Sequence, residues 1–299
     1  MITKITLPKF LNLSLIFLGA FILPFLPLTK PTSPPAVKAA STSILTVPFF
    51  DKTPVGSISA QAVYVYDPES RSALFEKNAT TKLHPASLTK LMTALIAINS
   101  YQLDQVLTVR SAADSLGSSV HLISGDRLTV ENLLYAALVA SGNDAAVTLA
   151  ENYPAGYSRF VDKMNQKALS LGLTDTHFTN VAGMEDDVHK TTAKDLTLLA
   201  ISALENPIIA RIVNTQKKII PNVSNTHHYL LTTTNDLLGT LGVIGVKTGT
   251  SQNAGQNLTI LSTQNGHSVF ITLLNSTDRF ADATTLINWV FTHFQWKEI

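Results

Sequence analysis

The sequence predicts a mixed α/β fold of the α+β kind: an antiparallel five-stranded sheet flanked by helices, with a helical lobe beside it. Three observations carry this expectation. Strand-like stretches lie at both ends of the folded part, near 60–77 and 216–275, and helical patterns fill the middle. Asn265-Gly266, between two β-rich runs, is a strong hairpin signal, because both residues accept the positive φ of a tight turn. The segment 278–294 spaces Phe280, Ile287, Val290, Phe291 and Phe294 as one helical face suited to cover a sheet.

Taken in order, Lys4 and Lys9 precede an uncharged, mainly apolar run at 10–28, which Pro24 and Pro27 shorten as a helix. Residues 1–39 read as a signal peptide, with Val37-Lys38-Ala39 as a small-residue cleavage pattern, or as an uncleaved membrane anchor. Either way the positive flank stays cytoplasmic and the body is exported. Residues 40–56, with Pro48 and Pro54 among Ser and Thr, read as a linker, leaving 57–299 as the folded domain. Residues 60–66 and 72–77 are strands joined by the turn Asp67-Pro68-Glu69-Ser70. His84-Pro85-Ala86-Ser87-Leu88-Thr89-Lys90 then turns into an apolar run at 91–98, a buried helix that Pro85 is suited to start. Residues 118–122 are short and extended at best, and Thr129 caps a second buried helix over 130–139.

That helix stops at Ala140-Ser141-Gly142-Asn143-Asp144, read as a polar loop. Helices follow at 144–152 and 157–171, then a loop at 176–189. Thr192 and Asp195 resemble a capping box opening a helix to 204, and 207–213 forms a short further helix. The remaining strands are 216–220, 226–231, 243–248, 256–262 and 267–275.

Composition excludes several classes. The chain has no cysteine, which removes disulfides, thiolate metal sites and cysteine nucleophiles. Four of its 22 Lys and Arg lie in residues 1–40, where there is no acid, so the rest is slightly acidic. A near-neutral body gives no reason to expect nucleic acid as a partner. His121, His189, His227 and His228 match no metal-ligand spacing, and His189 is expected near the rim of a site.

Three pieces of chain carry chemistry. Ser87 and Lys90 share an i,i+3 face, so a lysine that loses its proton through burial or a second cation could activate the hydroxyl. Ser-x-x-Lys by itself recurs by chance in a chain of this size. Ser141 and Asn143 sit two apart where a buried helix ends, a usual place for chemistry and equally for plain capping; Ser251-Gln252-Asn253 repeats the pattern. Gly245-Val246-Lys247-Thr248-Gly249-Thr250 is the sharpest signal. A strand end with glycine lets another backbone lie close, and Lys247 with Thr248 suits a carboxylate, although a surface strand with an exposed lysine would look the same.

These motifs occur in the order Ser-x-x-Lys, Ser-x-Asn, Lys-Thr-Gly, the set of penicillin-binding proteins and β-lactamases. With their flanks, Pro85–Lys90, Ala140–Ala146 and Gly245–Thr250 on to Ala254-Gly255, they closely resemble the serine D-alanyl-D-alanine carboxypeptidases. Phe178-Thr179-Asn180, Thr192–Asp195 and Thr234-Asn235-Asp236 resemble that family too, so the likeness covers about 57–295. The resemblance implies a β-lactamase/transpeptidase-like fold and a serine DD-carboxypeptidase acting on peptidoglycan stem peptides in the cell-wall space, with β-lactams as covalent inhibitors and no cofactor or metal. It implies Ser87 as nucleophile, Lys90 as base and Ser141 as proton relay. Asn143, Lys247, Thr248, Gly249 and Thr250 would bind substrate, and the N–H groups of Ser87 and Thr250 would form the oxyanion hole. Contact with a membrane would run only through an uncleaved N-terminal segment.

Three other readings stay open. A DD-endopeptidase that cuts cross-links would carry the same motifs. A β-lactamase would need a deacylating glutamate, and neither Glu151 nor Glu185 has a matching context, while Ser-Gly-Asn in place of Ser-Asp-Asn points away from class A enzymes. A non-catalytic penicillin-binding module would show decay among the motif residues, all of which are intact. Many members carry a further β-rich domain and a C-terminal anchor; neither is expected here.

Overall fold

The structure is a computed structural model that describes residues 46–110 and 117–298. The expected leader at 1–39 lies outside the described residues, as do residues 40–45 of the expected linker.

The elements form as local chemistry requires. β1 (Thr46–Phe50) is followed by β2 (Ala62–Asp67) and β3 (Ser72–Lys77). A 3₁₀ turn, Ala86–Thr89, runs into α1 (Lys90–Ser100), whose sequence is apolar nearly all round. The short pair β4 (Val106–Thr108) and β5 (Arg127–Thr129) precedes α2 (Val130–Leu138), capped by Thr129, whose hydroxyl accepts from the Asn132 N–H. α3 (Asn143–Glu151) and α4 (Gly156–Ser170) follow. Thr192 caps α5 (Ala193–Leu204) through the Asp195 N–H, and Asn206 caps α6 (Pro207–Val213) with proline at its first position. β6 (Lys217–Pro221), β7 (His228–Thr232), β8 (Val243–Ser251), β9 (Gly255–Gln264) and β10 (His267–Ser276) lead to α7 (Arg279–His293) and β11 (Phe294–Glu298).

The main sheet has five strands in the order β3-β2-β10-β9-β8, each pair antiparallel. The Asn265-Gly266 hairpin sets His267 opposite Gln264, with φ of 52° and 85° at the two turn residues. Alternation sorts each strand between two cores. Val63, Val65, Ile271 and Leu273 join the cluster under α7, whereas Ala62, Tyr64, Phe270 and Leu274 join the larger cluster of the helical lobe. α1 lies at the centre of that lobe, against α2, α3, α4 and α5.

The structure corrects the expected boundaries in two places. Thr46–Phe50, expected within a linker, is a strand paired with β11, Thr46 opposite Glu298. Phe50 stacks on Phe294 and meets Trp289 edge-on, and Trp289 Nε1 donates to Thr53 O at 2.8 Å, so residues 46–53 belong to the packed body. Of the seven strands expected between 60 and 275, the pair near 216–231 stays out of the main sheet and forms its own two-stranded ribbon.

Candidate active site

Ser87 sits in the 3₁₀ turn before α1, not in the first α-helical turn as its spacing suggested. In a 3₁₀ turn residues i and i+3 eclipse, which aligns Ser87 with Lys90 more closely than an α-helix would. Lys90 Nζ stands 2.7 Å from Ser87 Oγ. The same nitrogen is 2.6 Å from Asn143 Oδ1 and 3.0 Å from Ala182 O. A neutral amine has two hydrogens and one lone pair. In the neutral form the two hydrogens would go to the carbonyl oxygens of Asn143 and Ala182, and the lone pair would be left to face the Ser87 hydroxyl. Lys90 is fully buried, and burial first, then the field of Lys247, hold its pKa well below the usual lysine value, against an opposing pull from Asp144. Burial and the Lys247 cation thus both favour the neutral form of Lys90 beside Ser87.

The partners of Lys90 come from well-anchored segments. Asn143 opens α3, in place of the loop position expected for it, after Ser141 at φ 61° and Gly142. A Cβ on Gly142 would come within 2.7 Å of Asp144 Oδ1, so this tight corner needs glycine. Ala182 belongs to the 176–189 loop, held from inside by Asn180 Oδ1, which accepts the N–H groups of Ala182, Gly183 and Met184. Thr93 on α1 donates to Val181 O at 2.6 Å. His189 is buried behind the site, not at its rim. Its Nδ1 accepts from the Thr179 N–H at 3.0 Å, so Nε2 carries the proton and meets Thr89 Oγ1 at 2.9 Å. Burial pushes its pKa down to about 4, which keeps it neutral and structural.

β8 is one of the two edge strands of the sheet and passes beside the serine turn. A Cβ on Gly249 would lie 2.8 Å from Leu88 Cδ1 and 3.0 Å from Ser87 N, so glycine is what allows this approach. Lys247 is 2% exposed, not the free surface cation its strand position allowed. Its Nζ donates to Ser141 Oγ and to Thr248 O, both at 2.9 Å. Burial and the nearby Arg279 bring its pKa down to about 7. Thr248 Oγ1 bonds Thr234 Oγ1 at 2.5 Å.

Together these residues line one cleft of about 140 Å³, bounded by Ser87, Ser118, Ser141, Thr234, Thr248, Gly249, Thr250 and Arg279. The eight residues singled out from sequence therefore converge: Ser87, Ser141, Thr248, Gly249 and Thr250 line the cleft, and Lys90, Asn143 and Lys247 stand behind it. Arg279 was not anticipated. It opens α7, and its Nη1 donates to Gly249 O at 3.0 Å and to Thr250 Oγ1 at 2.7 Å. A lone arginine at the start of a helix has no spacing signature; only the packing of α7 on β9 and β10 brings it to the end of β8 and into the cleft. Glu185 is engaged by Asn253, with bonds of 2.7 and 2.8 Å, and Glu151 ends α3 at the far end from Asn143. Among the described residues no group of His, Cys, Asp and Glu is arranged to hold a metal ion.

The arrangement can move a proton from a hydroxyl to a neutral amine and hold an anion beside it. Comparison with known proteins agrees with that chemistry. The sequence model of the family described as D-alanyl-D-alanine carboxypeptidase matches residues 49–278. The D-alanyl-D-alanine carboxypeptidase of Streptomyces sp. (strain K15) is 34% identical over 256 residues, covering 79% of this chain and 88% of its own. The D-alanyl-D-alanine endopeptidase of Pseudomonas aeruginosa is 31% identical over 250 residues, covering 79% of this chain and 78% of its own. The crystal structure of the Streptomyces K15 DD-transpeptidase superposes with a TM-score of 0.76 at 33% identity, covering 80% of this chain and all of that one.

Proposed function

The chain belongs to the D-alanyl-D-alanine carboxypeptidase family, and from that premise we propose that it is a serine DD-carboxypeptidase that removes the terminal D-Ala from peptidoglycan stem peptides through an acyl-enzyme on Ser87. The observation that carries this reading is the 2.7 Å approach to Ser87 Oγ of a buried Lys90 whose pKa is held well below the usual lysine value.

In this mechanism Lys90 takes the Ser87 proton as Oγ attacks the carbonyl carbon of the D-Ala-D-Ala bond. The N–H groups of Ser87 and Thr250 hold the oxyanion, where one donor is worth about 3 kcal/mol of barrier. Ser141, oriented by Lys247, relays that proton from Lys90 to the departing amine, so that both end the step as they began it. Water then hydrolyses the ester. The substrate backbone lies along the open edge of β8, and Asn143 steadies its amide as well as Lys90. The terminal carboxylate meets Thr248, Thr250 and Arg279. Lys247, already engaged by Ser141 and Thr248 O, supports that grip from behind.

β-Lactams would acylate the same serine, so intact mass after incubation with penicillin, followed by peptide mapping, tests the assignment. The expected result is one adduct on Ser87, absent from Ser87→Ala; an adduct on another serine would refute it. Endopeptidase action on cross-links is the second reading, favoured by the endopeptidases among the relatives. Mass analysis of a pentapeptide digest beside a cross-linked muropeptide digest separates the two. Residues 1–39 are read as a cleaved export signal or an anchor, which would put the enzyme in the extracytoplasmic cell-wall space. The mass of the product in culture fluid and in membranes distinguishes those forms.

A further inference from the structure

Asp144 is fully buried, directly follows Asn143, and plays no part in the mechanism above. Its carboxylate accepts from donors that mostly lie on one segment of chain. Ser119 Oγ donates to Oδ2 at 2.6 Å, Leu122 N to Oδ2 at 2.9 Å, and Val120 N is shared between Oδ2 at 3.2 Å and Oδ1 at 3.3 Å. The Ala145 N–H adds a bond to Oδ1 at 2.9 Å, at a helix N-terminus where negative charge is favoured. Every one of these partners is a donor, so the acceptor-only carboxylate fits the nest and a carboxamide does not.

The segment it holds is a wall of the cleft. Ser118 lines the cleft, and its carbonyl accepts the Asn143 N–H at 2.8 Å. The stretch 118–122 has no helix or sheet ladder of its own to fix it. Its register beside Asn143 therefore depends on Asp144.

The same carboxylate is an electrostatic neighbour of the base. The titratable groups that feel it are Lys90 on α1 and Tyr229 on β7, with Asp126 behind Tyr229 and Lys247 acting on Lys90 from β8. We propose that Asp144 is a positioning residue for acylation: it clamps the Ser118–Leu122 wall against Asn143 and keeps a negative charge within the field of Lys90 that offsets the cation of Lys247. This rests on Lys90 acting as the base. Without that offset Lys90 would give up its proton still more readily and be a weaker base.

The test is the pH profile of the second-order acylation rate with a fluorescent penicillin, for wild type, Asp144→Asn and Ser119→Ala. An unlabelled Ser87 in wild type would refute the parent reading and is seen before any variant is made. In Asp144→Asn the acylation rate is expected to fall about tenfold at its optimum. Its acid limb is expected to move to lower pH by about one unit, because removing a nearby opposite charge makes an amine easier to deprotonate. A purely structural loss would lower the curve without moving the limb, so an unmoved limb in folded Asp144→Asn overturns the proposal. Ser119→Ala keeps the charge and loses one clamp bond: slower acylation with the limb in place is expected. If Asp144→Asn does not fold, a wild-type rate in Ser119→Ala overturns the proposal by itself.

Discussion

The two faces of the central sheet are built to different ends. Under α7 the core is apolar: Val63, Val65, Ile260, Ile271 and Leu273 meet Ala283, Leu286, Ile287 and Val290, with Trp289 and Phe294 at its edge. A buried acid on this face, Asp282, is fully answered. Ser59 N, Ser59 Oγ, Ala60 N and Ser276 Oγ all donate to it within 2.9 Å. The helical face is larger, and it buries two lysines and an aspartate near one cleft. Neither Lys90 nor Lys247 pairs with a carboxylate; both are held by carbonyl and hydroxyl oxygens and pushed towards neutrality. Burying amines this way costs stability and lowers their hold on a proton, which is what the proposed base requires. One face supplies cohesion and the other supplies chemistry.

The contrast can be broken by four measurements. The largest effect is expected from Lys90→Met, which should cut acylation by about 10³-fold while the melting temperature holds or rises. A collapse in stability would mean that Lys90 is a structural keystone after all. Next, Trp289→Ala, on the opposite face, should cost about 3–4 kcal/mol in urea unfolding and leave acylation of the folded protein unchanged. Slow acylation there would show that the faces are coupled.

Arg279→Leu probes the seam between the faces, because it comes from α7 and reaches the cleft. A charged hydrogen bond of about 1.5–3 kcal/mol implies roughly a tenfold or larger loss in kcat/KM for D-Ala-D-Ala peptides. A substrate with an amidated C-terminus should be affected little. The smallest effect concerns acid. Burial raises the pKa of Asp282, but the bonds from Ser276, Ser59 and Ala60 outweigh it and hold the group below the usual carboxylate range. Its contribution to stability is therefore complete above about pH 4 and is lost as pH falls through the lower folded value. Asp282→Asn should flatten that part of the stability curve; an unchanged slope would remove Asp282 as its source.

How much could be read beforehand follows the same division. Motif residues were legible because amine, hydroxyl and glycine at fixed spacings carry their chemistry locally. So were Asn265-Gly266, the Thr129 and Thr192 caps, and the helix over 207–213, since turn and cap chemistry is local too. The pairing of β1 with β11 was not, because a stretch with Pro48 and Pro54 that follows a run rich in Pro, Ser, Thr and Ala looks like linker until a partner from the other end of the chain is present. The strands at Val106–Thr108 and Arg127–Thr129 are too short to show a period. The burial of Lys247 and the arrival of Arg279 depend on packing between distant segments, which no local pattern encodes.

The strand order also constrains how the molecule is assembled. β2 is made early yet lies between β3 and β10, with Ala62 opposite Leu274. A growing chain can form the β2–β3 hairpin alone, but its inner edge stays unpaired until residues near the C-terminus arrive. Folding should consequently be slow and governed by loop closure. During that wait the exposed Val63 and Val65 face invites association with other chains, which makes β2 the segment for a holdase to shield.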